Sequence, residues 1–239
     1  MTEARAPQAR PWRWSAALLA LSLLGVAAAE VHGHGARRAF HRPEGFEGAW
    51  AAVADAGAAA RVWEAGQVTG RRLVVLTGRW AALPPGVLQQ LLAEEAGRSF
   101  SEVVDADTAL LTSARVGLVR SLLVVMPPAA WARRVEELAG QRGLRREEGC
   151  VTTPWLGIER TFCRPDALRG SAEPALVLVE PSWFAAAEAE PLERWLGKAG
   201  VAVELGLVAA DDPTADDTMR ARAEAFGQRV GAPSLEVGE

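Results

Sequence analysis

The 239 residues are 49% hydrophobic and 23% charged, the mix of a soluble globular domain of ordinary size. A formal net charge of -4 gives no electrostatic reason to expect nucleic acid as a partner. Lys198 is the sole lysine, so basic character comes almost wholly from arginine.

The chain opens with Arg5, Arg10 and Arg13, followed by an uncharged run from Trp14 to Ala29 that ends in small residues at Ala27 and Ala29. Positive flank, apolar stretch and small residues are the three parts of a secretory signal peptide. Residues 1–29 therefore read as a signal peptide, cleaved after Ala29, or as an uncleaved membrane anchor through residues 14–29. In both cases the remainder is exported, to the periplasm or outward-facing on the cytoplasmic membrane. Residues 30–45 read as a linker, and 46–239 as a single α/β domain.

The linker holds all three histidines. Cleavage after Ala29 would leave Glu30-Val31-His32 at the amino terminus. That resembles the amino-terminal copper- and nickel-binding motif, with His32 as the imidazole ligand.

The alanine-rich stretch Phe46 to Gly66 places Trp50, Val53 and Ala54 near one helical face and reads as a helix. Thereafter elements alternate. Arg72–Thr77 is a buried strand, Pro84–Ala96 a helix, Phe100–Val104 a short strand and Thr108–Val116 a helix. Leu122–Met126 is a strand and Ala129–Ala139 a helix. Leu144–Cys163 carries turn signals at Pro154 and Gly157 and reads as a hairpin. Ala175–Val179 is a strand, Trp183–Ala199 a helix, Val201–Val208 a strand and Thr214–Val230 a last helix. Apolar strands alternating with amphipathic helices predict a three-layer α/β fold. Its sheet is mainly parallel, Rossmann-like in the loose sense, with the hairpin at one edge.

Cys150 and Cys163 flank a 12-residue segment, and an oxidising compartment would join them. Such a bridge contributes roughly 3 kcal/mol.

Three units share a plan of apolar strand, proline-containing turn, tryptophan, helix and Ala-Gly. Their tryptophans, Trp80, Trp131 and Trp183, fall 51 and 52 residues apart. Parallel strands would put all three at carboxyl ends, the edge where open α/β sheets bind ligands. Indole faces there would suit sugars, flat aromatic groups or cations.

The stretch VVDADTALL, with Asp105 and Asp107, resembles the nucleophile loop of haloacid-dehalogenase-type phosphohydrolases. Asp211 and Asp212, in LVAADDPTADD, are similar to that family's acidic metal-holding motif. The resemblance covers about twenty residues. It implies magnesium, an aspartyl-phosphate intermediate and a strand leading into Asp105. Ala109 stands where the family carries threonine or valine. No P-loop, GxGxxG or GxSxG pattern occurs, and every histidine precedes residue 42.

The leading expectation is an exported cell-envelope domain that binds a small molecule or an envelope protein without catalysis and without a cofactor. The alternatives are the magnesium-dependent phosphohydrolase and a structural component of an envelope complex.

Overall fold

The computed structural model describes residues 48–80, 90, 93, 98–185 and 191–235. The signal or anchor segment, the linker and the His32 site lie outside the described residues. So does the helix predicted at 84–96, apart from Gln90 and Ala93, which are helical.

The chain is α/β. Eight strands form one mixed sheet in the order β1-β8-β7-β2-β3-β6-β5-β4. They are β1 (Trp50–Val53), β2 (Arg71–Leu76), β3 (Val119–Val125), β4 (Arg145–Glu147), β5 (Cys150–Trp155), β6 (Ile158–Cys163), β7 (Ser171–Val179) and β8 (Val201–Ala209). From β1 to β6 across the sheet every pairing is parallel. The β4-β5-β6 meander is antiparallel and occupies one edge, as the turn signals predicted.

The period of two along each strand divides the core between the two faces of the sheet. Leu73, Val75, Leu122, Val124, Leu176 and Leu178 face one side. There they meet α1 (Ala56–Ala65), α3 (Ala109–Arg115) and α4 (Pro128–Leu138). Val74, Leu76, Leu123, Val125, Val177 and Val179 face the other. They pack under α5 (Leu192–Lys198) and α6 (Asp217–Arg229). Near-continuous Val/Leu strands are thus explained by burial on both faces. Towards β5 the second face carries instead a groove of about 480 Å³, lined by Arg72, Ser121, Thr152, Thr161 and the cysteines.

Three expectations are corrected. Trp50–Val53, read within an alanine-rich helix, is a strand, because pairing with β8 outweighs alanine's helix propensity. A Cβ on Gly206, the pairing partner of Trp50, would lie 2.2 Å from the Trp50 ring, so only glycine lets the indole lie across β8. Phe100–Val103, read as a strand, is one helical turn, α2. Ser99 and Glu102 form a capping box that closes its amino terminus, and this outweighs the two valines that follow. Of the predicted helix Trp183–Ala199, residues 186–190 lie outside the described ones; the rest is a 3₁₀ segment, Pro181–Ala185, and α5, which starts after the non-helical Pro191.

Cys150 and Cys163 are directly opposite each other in the β5-β6 pair and are disulfide-bonded. Such a bridge fits an oxidising, extracytoplasmic compartment. Among the described residues no helix is long and apolar enough to cross a membrane.

Candidate functional site

Strand order selects the place to look. From β2 the chain crosses to β3 on one side, and from β7 it crosses to β8 on the other. The neighbouring carboxyl ends of β2 and β7 therefore form a topological switch point, where the outgoing connections part and leave a crevice.

Polar residues fill that position. Thr77, Gly78 and Arg79 leave β2, and Glu180 and Ser182 leave β7. Asp212 arrives from the end of β8, and Asp107 from the loop before α3. The two central loops touch. The Gly78 amide donates to Ser182 Oγ at 3.0 Å, and the Thr77 and Ser182 hydroxyls lie 3.1 Å apart. A Cβ on Gly78 would stand 2.2 Å from the Ser182 carbonyl oxygen, so this approach requires glycine. Arg79 spans the opening, with Nε 2.9 Å from Asp212 Oδ1 and Nη2 3.4 Å from Asp107 Oδ1.

Asp212 is buried and well supplied with donors. The Thr214 amide and hydroxyl donate to Oδ1 at 2.9 and 2.8 Å, and the Ser182 amide to Oδ2 at 3.3 Å. Burial pushes its carboxyl up, but hydrogen bonds from Ser182 and Thr214 and the Arg79 charge outweigh burial and hold it below the ordinary aspartate range.

Glu180 is the opposite case. It is 8% exposed, and burial, assisted by the Asp212 and Asp107 charges, pushes its carboxyl up to about 7. Thr77 and Arg79 pull the other way without compensating. The Thr77 hydroxyl has a single hydrogen, and it lies 2.7 Å from the Arg79 carbonyl oxygen as well as beside Glu180. Donating to one acceptor denies the other.

Of the four aspartates singled out in the sequence, the structure brings Asp107 and Asp212 together on Arg79. Asp105 follows the helical turn α2, where the phosphohydrolase resemblance implies a strand. Its Oδ1 accepts from the Asp107 and Thr108 amides and the Thr108 hydroxyl at 2.7–2.9 Å, a local cap leading into α3. Asp211 pairs with Arg220 at 3.0 Å. Among the described residues no three His, Cys, Asp or Glu side chains are grouped to hold a metal ion. With Arg79 already bound between Asp107 and Asp212, these residues do not fit magnesium.

The tryptophans divide between faces. Trp80 packs edge-on to Trp155 and Phe162, with centroids 5.9 and 5.4 Å apart. Trp131 lies beside the same strand and directs Nε1 to the Phe162 carbonyl at 3.4 Å. Trp183 is across the sheet, 5.7 Å from Trp195. Trp80 and Trp131 thus share one neighbourhood, and Trp183 does not join it. Between Trp80, Trp155 and Phe162 lies the Arg160 guanidinium, 5.1–5.3 Å from each ring centroid.

Sequence reasoning missed Thr77, Arg79, Glu180 and Ser182. Their signal was position: they are among the first polar residues after apolar strands. Comparison with protein-family models, with curated proteins and with solved structures finds no match to this chain.

Proposed function

We infer that this chain is an exported cell-envelope domain that binds a small molecule in the β2-β7 crevice, without catalysis. The observation that carries the reading is the coincidence of the switch point with a convergent polar cluster, Thr77, Arg79, Glu180, Ser182 and Asp212. A non-catalytic role fits the chemistry at hand. Ser182 Oγ is hydrogen-bonded to Gly78 and Thr77, and no histidine occurs after residue 41 to activate it. Export is supported by the N-terminal pattern and by the disulfide.

Two measurements test this. Full-length protein produced in an exporting host should show an intact mass that lacks two protons, from either Glu30 or the original amino terminus. Free thiols in a full-length cytoplasmic product would remove the export argument. The second measurement is equilibrium dialysis against an envelope extract of that host, with mass spectrometry of what is retained. A compound held by the native protein and lost in Asp107→Lys supports the crevice, since Asp107 is exposed and the change spares the core. Retention of nothing, or equal retention by both proteins, contradicts it.

A further inference from the structure

We propose that the groove beside the disulfide binds a short zwitterionic peptide, its carboxylate on Arg72 and its ammonium group on Glu147 and Glu148. This site is separate from the β2-β7 crevice and does not depend on it.

The cavity is the first observation. α5 and α6 pack towards β8 and β1, and among the described residues no α-helix packs on this side of β3, β6 and β5. The groove of about 480 Å³ opens there, a volume in the range of small-molecule sites. Its floor is polar. Arg72 precedes Val74 by two residues and so faces the same side, beside Ser121 of β3. Further across, Thr161 pairs with Thr152, and their hydroxyls lie 2.9 Å apart. One hydrogen fills that contact, so the pair keeps a second for a ligand. An apolar helix, or an apolar face of a second copy, would bury Arg72 and these hydroxyls without partners.

Charge is the second observation. Arg72 is half-buried, and among the described residues no hydrogen bond or ion pair engages its guanidinium. Glu173, the acid that acts on it, is bonded to Arg120, whose own charge opposes that of Arg72. A guanidinium in that state suits a carboxylate, which it can grip through two parallel hydrogen bonds. The other charges that line the groove set the rest of the ligand. Arg169 donates to the Asp166 and Leu168 carbonyls, and Glu159 pairs with Arg145. Glu147 and Glu148 are exposed, with no ion pair among the described residues. A simple anion would meet their repulsion, whereas a ligand that also carries an ammonium group satisfies both walls.

Strand register gives the length. Glu147 lies level with Leu76, through Cys150, Cys163 and Val125. It is therefore four strand spacings and four residues from Arg72, about 23 Å between Cα positions. A tripeptide spans about 10 Å, and the long arginine and glutamate side chains close the remainder.

The experiment titrates the full chain from an exporting host with trialanine, N-acetyl-trialanine and trialanine amide, following amide shifts by NMR at neutral pH. The expected result is trialanine binding that moves Arg72, Ser121, Thr161 and Glu148 and leaves Gly78 and Ser182 in place. Acetylation or amidation should each weaken it about tenfold or more, as should Arg72→Gln and the double variant Glu147→Gln/Glu148→Gln. The two glutamates are exposed, so their variant tests the site without touching the core. If either blocked peptide binds as tightly as trialanine, recognition of both charges is overturned. If trialanine moves none of the groove residues, or moves Gly78 and Ser182 instead, the groove is not its site. Groove shifts that follow protein concentration alone would assign this face to self-association and also overturn the proposal.

Discussion

Replacing Glu180 by glutamine keeps the side chain's shape and removes its ionisation. In the folded protein the carboxyl titrates at about 7, against an ordinary value of 4.5. At about 1.4 kcal/mol per tenfold change in proton affinity, ionising it in place costs roughly 3 kcal/mol. The sign follows from proton binding. Between 4.5 and about 7 the folded state holds the proton and the unfolded state has released it. Wild-type stability therefore falls as pH rises through that window and levels off above it. Glu180→Gln has no such loss. Urea unfolding should show the variant close to wild type at pH 4.5 and more stable at pH 8, by about 2 kcal/mol or more. The m-value should be unchanged, because the exposed surface is the same. Parallel stability curves for the two proteins from pH 4.5 to 8 would refute the assignment of a strained, buried carboxyl.

Three further outcomes follow from the packing. Reducing the Cys150–Cys163 bridge, or replacing both cysteines by serine, should lower stability by roughly 3 kcal/mol, seen as a lower Tm. Gly78→Ala should separate the β2 and β7 loops, because the added methyl meets the Ser182 carbonyl. Faster amide exchange at Ser182 with little change in the β3-β6 half would report this, and an unchanged exchange pattern would contradict it. Arg160 has burial and Arg134 against its charge, which lower its guanidinium to about 10, and aromatic rings rather than a carboxylate around it. Arg160→Met should therefore fall within about 1 kcal/mol of wild type, whereas Arg160→Ala, which empties the cage, should cost about 2 kcal/mol or more.

The layers of the fold were legible because burial on both faces writes itself as unbroken runs such as LVVL, LLVV and ALVLV. The hairpin was legible from Gly157, whose φ of 79° a turn requires. Trp50–Val53 was not, since an edge strand that is half alanine is defined by its partner, and Gly206 lies about 150 residues away in the chain. Phe100–Val103 could have been read from Ser99 and Glu102, a local signal passed over for two valines. The aspartates were found by resemblance, but their roles were set by neighbours. Arg79, absent from the motif, gathers Asp107 and Asp212, while Thr108 and Arg220 take Asp105 and Asp211 for local bonds. The tryptophan spacing placed three indoles past the carboxyl ends of parallel strands, where the structure has them. It did not show that Trp183 packs on the opposite face from Trp80, because a strand's exit direction depends on which side its helix returns. Strand order selects the candidate site, and order is a property of long-range pairing.

The measurement closest to the central claim is a ¹³C titration of the Glu180 carboxyl in the folded protein. A midpoint near 7 would show the buried acid that the convergence of the β2 and β7 loops predicts. A midpoint near 4.5 would mean that Glu180 is solvated and that the β2-β7 loops do not bury its carboxyl.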